Sequence, residues 1–328
     1  MYSIKRLLKP ILVPIWNRSC FFVWRTGEIG EALMRGRIAR CVICGRLSPL
    51  VYRPWLITPA LIERWGVSRE VAAAIARKES TMCVWCGGKL RNRRIAETLL
   101  DLYRVGSAPL RARSIVEWVR NPMIKRLHIA EINLIEGIHS YISTLPHHSY
   151  SEYQDDYGDS SVRREDLTRL SYPSDSFDIV LTSETLEHVP DLDAALREIL
   201  RVLKPGGRHI FTIPQDSAAD RTFRRASLSA DGTIEHHVTP LYHPAGDRGY
   251  LVFTEFGGDI AEILDRAGFE TEIRFGPVTP RDLAQVYICR KPERAREANR
   301  RDDEPASDSA RLDDRRCSVR DDEPSDFS

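Results

Sequence analysis

Hydrophobic and polar positions follow two periods along the middle of the chain. Residues 177–182 (FDIVLT) are an apolar, β-branched run of strand length, and residues 192–203 repeat their apolar side chains with helical spacing. Residues 204–207 (KPGG) are expected to end this helix with a left-handed glycine cap and a tight turn, and residues 208–214 form the next apolar run. A strand, a helix and a strand in this order predict a right-handed βαβ crossover.

The same alternation extends over residues 101–290. It predicts a parallel sheet covered by helices on both faces, which is a doubly wound α/β fold. Upstream, residues 125–131 predict the first strand, and a second short strand ends near Glu152. Downstream, the pattern predicts one helix and two last strands, at residues 259–267, 268–275 and 284–289.

Three groups of residues in this pattern resemble the class I S-adenosylmethionine-dependent methyltransferases of the type 11 kind. They are Ser176-Phe177-Asp178, Glu187-His188 and residues 203–207 (LKPGG), in the order and spacing of the fourth and fifth strands of that superfamily. The resemblance covers roughly half of the chain. It implies a Rossmann-like sheet of seven strands, the last two of which form an antiparallel hairpin at its edge, and S-adenosylmethionine as the methyl donor.

The resemblance places a cofactor loop after the first strand, where the superfamily has an acid followed by alternate glycines. Here Glu131 supplies the acid, Asn133 and Ile135 stand at the first two glycine positions, and Gly137 stands at the third. Asparagine tolerates a positive φ, whereas isoleucine does not. We expect Glu131, Asn133 and Gly137 to contact the cofactor, and Ile135 is the main departure from the family pattern.

Acidic residues at later strand ends complete the implied cofactor site. Glu152 stands where a carboxylate accepts both ribose hydroxyls, because two acceptor oxygens can bind a vicinal diol. Asp166 and Leu167 resemble the pair that contacts the adenine amino group and ring, and Glu184 follows the fourth strand at the edge where ligands bind. Solvated strand-end carboxylates are the alternative interpretation.

Glu187 and His188 are the catalytic candidates. They also follow the fourth strand at the carboxyl edge of the predicted sheet. His188 suits a general base because histidine titrates near neutral pH. The alternative is a structural role in capping the turn that follows.

An insertion at about residues 215–256 separates the fifth strand from the next helix. A segment of this length commonly shapes a substrate lid. It carries Glu235, His236, His237 and His243, for which acceptor recognition, metal ligation and plain surface exposure are all open. Metal ligation by the adjacent pair is disfavoured, because neighbouring residues on a strand point to opposite faces.

Two copies of the pattern C-x-x-C-G precede this domain and supply Cys41, Cys44, Cys83 and Cys86. Each turn brings two thiolates to one face, and the glycine that follows permits a positive φ. Four thiolates suit tetrahedral zinc and leave no open position, so we expect a structural zinc site with a helical insertion between the pairs. Four buried thiols or a redox pair are the alternatives. Closely spaced cysteine pairs and an odd cysteine count favour a reducing compartment, and we expect a cytoplasmic protein.

Composition divides the chain into a basic and apolar segment, a four-cysteine zinc-knuckle module, the methyltransferase domain and a charged tail, at residues 1–40, 41–100, 101–290 and 291–328. Residues 1–25 contain an apolar run that is too short and too interrupted to span a membrane or to be a signal peptide. A helix packed on the domain or a weak membrane-surface contact would explain it. The tail repeats the pattern RDDEP and has too little apolar surface to fold, so it is predicted to be disordered.

Three functions remain open from the sequence. The first is methyl transfer from S-adenosylmethionine to a small molecule or a glycan precursor. The second is RNA methylation in which the zinc module reads RNA through the basic run at residues 89–94, although a net charge of +1 argues against a nucleic-acid partner. The third is a non-catalytic binding protein whose cofactor loop has degenerated at Asn133 and Ile135.

Overall fold

The computed structural model describes the following stretches of the chain: residues 26–104, 111–153, 162–215, 219–229, 231–243, 249–276 and 283–293. These residues all belong to one compact unit. The predictions for residues 1–25 and for most of the tail lie outside the described residues. Among the helices that are described, none combines the length and the apolar character needed to cross a membrane.

The two cysteine pairs belong to a small antiparallel sheet that follows a helical stretch at residues 26–34. The first pair lies on the turn between the first two strands, and the second pair begins in the last strand and ends in the turn after it. Its strands, in spatial order, are β1 (Ile38–Arg40), β2 (Leu47–Val51) and β3 (Met82–Cys83). The predicted helical insertion is confirmed between β2 and β3. It consists of a 3₁₀ turn (Pro54–Leu56), α1 (Pro59–Trp65) and α2 (Arg69–Ser80). Thr58 and Ser68 cap the two helices with their hydroxyl groups.

Two helices connect this region to the large sheet. They are α3 (Leu90–Leu102) and the short α4 (Ile115–Trp118), followed by a 3₁₀ turn (Ile124–Arg126). The remaining elements up to the insertion are β4 (Ile129–Ile132), α5 (His139–Ile142), β5 (His148–Glu152), β6 (Arg163–Arg164), β7 (Phe177–Ser183), a 3₁₀ turn (Leu186–His188), α6 (Leu192–Val202) and β8 (Leu203–Thr212).

The insertion after β8 folds into three two-stranded pairs. Its strands are β9 (Phe223–Arg224), β10 (Ala226–Leu228), β11 (Ile234–His236), β12 (Tyr242–His243), β13 (Tyr250–Leu251) and β14 (Thr254–Glu255). The chain then closes with α7 (Ile260–Arg266), β15 (Glu270–Arg274) and β16 (Val286–Arg290).

Seven strands form the large sheet in the order β15-β16-β8-β7-β4-β5-β6. Pairing is parallel from β8 to β6, and β16 runs antiparallel to both of its neighbours. The chain therefore moves outward from β4 in one direction to β5 and in the other to β7. In doubly wound sheets, ligands bind at the carboxyl ends of the strands at such a switch point.

Separate hydrophobic clusters cover the two faces of this sheet. One packs α6 and α7 onto residues such as Val180 and Phe211. The other packs α3 and α4 onto Ile129 and Ile179, and it also contains Cys41, Cys44 and Cys83. The cysteine turns therefore share a core with the sheet. Helices on both faces confirm the predicted doubly wound arrangement.

The predicted βαβ unit is confirmed as β7, α6 and β8, but the predicted cap at residues 204–207 is wrong. Helix α6 ends at Val202, and the chain enters β8 directly with Leu203 in an extended conformation. Gly206 does have a positive φ of 80°, but it lies inside β8. A Cβ on Gly207 would stand 2.8 Å from the carbonyl oxygen of Lys204, so the second glycine is required by close backbone packing.

Candidate functional site

Glu131 is the penultimate residue of β4 and is completely buried. Its Oε1 accepts the N–H of Ile135 at 2.9 Å, and its Oε2 lies 2.7 Å from His139 Nδ1 and 3.0 Å from His148 Nε2. Burial alone raises the pKa of Glu131, but the hydrogen bonds from the two histidines outweigh it and hold that pKa below its usual value. The carboxylate is therefore engaged within the protein, where it fixes the loop after β4.

In the loop after β4, the positive φ angles fall on residues that tolerate them. Asn133, at the first glycine position of the family pattern, has a φ of 65°, and Gly137, at the third, has a φ of 81°. Ile135 is not in the left-handed region, and its side chain is buried in the core beneath the sheet. The isoleucine thus occupies the middle position without the strain expected from the sequence.

The second cysteine turn packs directly against this loop. A Cβ on Gly137 would stand 2.9 Å from the Cα of Gly88 and 3.1 Å from the carbonyl oxygen of Cys86. Asn92, at the start of α3, donates its side-chain amide to the carbonyl of Glu136 at 2.9 Å. The N-terminal region therefore holds the candidate cofactor loop from outside the sheet, a contact that the sequence did not predict.

Glu152 ends β5 beside the same loop. Its Oε1 accepts the N–H of Leu134 at 2.9 Å and the hydroxyl of Tyr150. Among the described residues, no group donates a hydrogen bond to its Oε2. Leu134 itself is 41% exposed, so this part of the loop faces outward. The structure thus brings Glu152 and the loop after β4 together and leaves one carboxylate oxygen open.

Asp166 and Leu167 follow β6. Asp166 Oδ1 accepts the backbone N–H of Thr168 at 2.8 Å and its hydroxyl at 2.7 Å, which shapes the local turn. Leu167 is buried in the core that packs against α6. Most of the leucine surface is therefore already covered by protein.

Glu184 follows β7 with a φ of 51° and makes a buried ion pair with a residue from the N-terminal region. Its Oε2 lies 2.7 Å from Nζ of Lys78, at the end of α2, and its Oε1 is buried without a hydrogen-bond partner. Arg91 of α3 donates to Ser183 Oγ at 3.2 Å, beside it. Two N-terminal helices therefore cover the carboxyl end of β7.

Glu187 and His188 lie in the 3₁₀ turn after β7, where the insertion folds over them. Glu187 Oε1 is 3.6 Å from His188 Nε2 and 3.6 Å from Nδ1 of His243 on β12. Burial raises the pKa of Glu187, but the neighbouring His243 and His188 outweigh it and hold that pKa below its usual value. His236 and His237 are exposed and take no part in this group, so the histidines of the insertion do not assemble with one another.

The four predicted zinc ligands meet at one point. Cys41 and Cys86 have their Sγ atoms 3.7 Å apart, as do Cys44 and Cys83. All four sulfur atoms lie within 4.8 Å of one another. Zinc–sulfur bonds of about 2.3 Å place the sulfur atoms of a tetrahedral site about 3.8 Å apart, so the observed spacing fits zinc.

The two cysteine turns have the same backbone geometry. In each, the glycine after the second cysteine donates its N–H to the carbonyl of the first, at 2.8 Å for Gly45 and 2.9 Å for Gly87. Both glycines have the predicted positive φ, 74° and 70°. Burial and the neighbouring thiols raise the pKa of Cys44 to about 11. A cluster of thiolates at this position therefore needs a cation to balance its charge.

Part of the chain is similar in sequence to known methyltransferases. Residues 142–211 match the family model for a methyltransferase domain. A probable methyltransferase of Aspergillus luteorubrus, ltbC, is 38% identical over 95 residues, which are 24% of this chain and 32% of that protein. A ubiquinone/menaquinone biosynthesis C-methyltransferase of Saccharophagus degradans is 38% identical over 61 residues, or 18% of this chain and 24% of that protein.

The chain spans about a third or less of the length of these curated relatives. An S-adenosylmethionine-dependent methyltransferase structure from Mesorhizobium loti aligns with a TM-score of 0.35 and 19% identity, over 54% of this chain and 98% of that one. The region matched by the methyltransferase family model includes Glu152, Asp166, Glu184, Glu187 and His188, and it begins just after the loop at Glu131.

Most cations of the basic run at residues 89–94 are paired with acids. Lys89 lies 2.8 Å from Glu136, and Arg91 lies 3.1 Å from Glu79. Most of the Arg91 side chain is buried. These cations stabilise the packing of α3 on the candidate cofactor loop, so little of their charge faces outward.

Proposed function

We propose that the protein is an S-adenosylmethionine-dependent methyltransferase that acts on a small molecule or a glycan precursor. The observation that carries this proposal is the position of Glu152. Its carboxylate lies at the carboxyl edge of a doubly wound sheet, on the strand next to the switch-point strand β4. It is hydrogen-bonded to the loop after β4, and none of the described residues donates to its Oε2. Residues with this arrangement suit the ribose diol of a nucleoside cofactor.

When bound, S-adenosylmethionine supplies an electrophilic methyl group. The protein's own contribution is then largely positional, because holding an acceptor and a methyl group in line accounts for much of the rate of such a displacement. In this proposal Glu152 binds the ribose, Asn133 and Gly137 shape the loop around the cofactor, and Asp166 contacts the adenine. Glu131 orients the loop from inside through His139.

Glu187 and His188 lie on the acceptor side in this proposal. They follow β7, the strand next to β4, and the insertion at about residues 215–256 covers them. A general base is needed only where the acceptor is a hydroxyl or a similar protonated group. Glu184 fixes the end of β7 through Lys78 and thereby shapes the same edge.

The loop geometry favours a cofactor-binding protein over a non-catalytic relative. Asn133 takes the left-handed conformation that the family pattern assigns to glycine, and the backbone of Ile135 is not in the left-handed region. The two substitutions that suggested a degenerate loop therefore leave its backbone turn intact. RNA methylation is disfavoured because three cations of the basic run at residues 89–94, namely Lys89, Arg91 and Arg94, are already paired with carboxylates.

The four-cysteine group is proposed to hold a structural zinc ion. Its sulfur spacing supports this, and a site made of four thiolates leaves no position for a substrate. Because the cysteine turns share a core with the sheet and contact Gly137, the zinc would stabilise the cofactor loop. Reduced thiols of this kind fit a cytoplasmic location.

Titration calorimetry with S-adenosylmethionine tests the proposed function. The wild-type protein is expected to bind with micromolar affinity, and Glu152→Ala is expected to weaken binding by about tenfold or more, since charge-assisted hydrogen bonds contribute about 1.5–3 kcal/mol. Glu63→Ala, which removes an exposed glutamate on α1, is the matched control and should bind like wild type. No detectable heat with the wild-type protein would refute the proposal.

A further inference from the structure

The group formed by Glu187, His188 and His243 has the properties of a metal-ligand set. Its three ligand atoms lie within 4.8 Å of one another, and Glu187 is completely buried. Within the described residues, neither carboxylate oxygen of Glu187 has a hydrogen-bond partner. A buried carboxylate without hydrogen bonds is costly, so a further positive partner between these side chains would stabilise the arrangement.

His188 presents the correct nitrogen toward this point. Its Nδ1 lies 2.8 Å from the carbonyl oxygen of Leu251. Because a carbonyl can only accept, Nδ1 is the donor, so in the neutral imidazole the lone pair lies on Nε2, which faces Glu187. Histidine ligands of metals are commonly oriented in this way by a backbone carbonyl.

The paired strands β12 and β13 supply both the His243 ligand and the carbonyl that orients His188. In the pairing of β12 with β13, Tyr242 lies opposite Leu251 and His243 lies opposite Tyr250. The strand that brings His243 Nδ1 to Glu187 is therefore held by the strand whose carbonyl orients His188. The ligand set is complete only when the insertion folds over the 3₁₀ turn after β7.

The distances fit a metal ion better than direct hydrogen bonds. Metal–ligand bonds of about 2.1 Å place the ligand atoms of a tetrahedral site about 3.4 Å apart. The observed separations are 3.6 Å, whereas a direct bond between imidazole and carboxylate is about 2.7–2.9 Å long. Two imidazoles and one carboxylate suit divalent first-row metals and leave coordination positions open.

We infer that Glu187, His188 and His243 bind one divalent first-row metal ion whose open position takes a hydroxyl oxygen of the methyl acceptor. The acceptor part of this inference rests on the proposed function. Binding to the ion makes the hydroxyl more acidic, and its proton leaves to solvent water. The oxygen then bonds to the methyl carbon while the carbon–sulfur bond breaks, and the electron pair of that bond stays on sulfur. The products are a methyl ether and S-adenosylhomocysteine.

Manganese binding tests the site without interference from the cysteine cluster, because Mn²⁺ prefers nitrogen and oxygen ligands to thiolates. Free Mn²⁺ would be measured by electron paramagnetic resonance during titration of the full-length protein. Wild type is expected to bind about one equivalent, and His243→Ala to bind at least tenfold more weakly. His237→Ala, which removes an exposed histidine of the same insertion, is the matched control and should bind like wild type.

Glu187→Gln keeps the side-chain shape and provides a second variant in case His243→Ala disturbs the hairpin. It is expected to lose Mn²⁺ binding while keeping the wild-type circular dichroism spectrum. Equal Mn²⁺ affinity in wild type and in both variants, or no binding by wild type, would overturn the inference.

Two further measurements test the metal site independently of the proposed function. Bound Mn²⁺ should enhance the relaxation of water protons, and the absence of enhancement would refute the open position. His243→Ala should keep the wild-type affinity for S-adenosylmethionine. If wild type binds Mn²⁺ but not S-adenosylmethionine, the proposed function fails and the metal site stands. If it binds S-adenosylmethionine but not Mn²⁺, this inference alone fails.

Discussion

Lys78 and Glu184 lie 2.7 Å apart, although 106 residues separate them in the chain. The lysine is only 3% exposed and comes from α2, between the two cysteine pairs, whereas the glutamate follows β7 of the large sheet. The N-terminal region is thus tied to the edge of the sheet that carries the candidate site. Because Glu184 Oε1 has no hydrogen-bond partner among the residues that the structure describes, Lys78 supplies the main compensation for a buried carboxylate.

Lys78→Met is therefore expected to destabilise the protein strongly. Breaking a buried ion pair on one side leaves an uncompensated charge and costs about 3–5 kcal/mol. Adding Glu184→Gln to the same chain should restore most of this loss, since no charge is then left unpaired. The free energy of unfolding in urea checks both results, with the exposed Lys125→Met as control. A Lys78→Met variant as stable as that control would contradict the expectation.

Gly137→Ala tests the contact between the candidate cofactor loop and the second cysteine turn. The added methyl meets the Cα of Gly88 at 2.9 Å, and the residue must also keep a φ of 81°. Gly232→Ala is a matched control, because Gly232 has a φ of 85° and nothing within 4 Å of the new Cβ. Both variants carry the backbone cost of about 1 kcal/mol, and only Gly137→Ala adds about 1–3 kcal/mol of overpacking.

The overpacking in Gly137→Ala should also change two properties besides the free energy of unfolding. Affinity for S-adenosylmethionine should fall, because the loop after β4 moves, and zinc should be released at a lower chelator concentration. Gly232→Ala should change neither property. Equal unfolding free energies for the two variants would show that the loop and the cysteine turn are not tightly coupled.

Local sequence patterns were sufficient to predict β7, α6 and β8, because strand and helix periods depend only on neighbouring residues. The contact of Lys78 with Glu184 and the approach of Gly88 to Gly137 could not be predicted in this way. Both join distant segments, and they depend on how the helices between the cysteine pairs pack on the sheet.

In the candidate site, too, the sequence predicted positions at strand ends but not contacts between distant segments. The family pattern predicted Glu152 at a strand end, where the structure has it beside the loop after β4. The same pattern gave no sign that Glu131 would be bonded internally to His139 and His148. It also could not join His243 to Glu187, because His243 follows 56 positions later in the chain and reaches Glu187 only through the fold of the insertion. The sequence did contain one local signal for the bonding of Glu131: this glutamate lies in an otherwise apolar strand, and His139 and His148 follow it closely in the chain.

Removal of one proposed zinc ligand is expected to destabilise the whole described unit, not only the cysteine turns. Cys44 shares a hydrophobic core with Ile129 and Ile179 of the sheet, so loss of the proposed metal site would expose a core common to both regions. Cys44→Ser should reduce the zinc content well below one equivalent and lower the melting temperature in a single transition. Cys289→Ala, at a buried cysteine of β16, should retain the zinc. Two separate melting transitions in Cys44→Ser would contradict a shared core.

The pair formed by Glu131 and His139 should make stability depend on pH in a defined direction. The hydrogen bond to Glu131 raises the pKa of His139 above its usual 6.5, and the two histidines outweigh the effect of burial to hold the pKa of Glu131 below its usual 4.5. The histidine therefore contributes stability that is fully present below pH 6.5 and is lost as the pH rises through its higher folded pKa. The glutamate contributes stability that is present above pH 4.5 and is lost as the pH falls through its lower folded pKa.

The stabilisation from this pair should consequently be greatest between pH 4.5 and 6.5. His139→Ala should lose most stability relative to wild type in that window, and the difference should shrink as the pH rises above the folded pKa of His139. Urea unfolding of both proteins over a pH series gives this difference directly, with the exposed His236→Ala as the control for general titration of histidine. A difference that stays constant up to alkaline pH would mean that His139 contributes through packing with Tyr150, whose ring lies 4.6 Å away, and not through its charge.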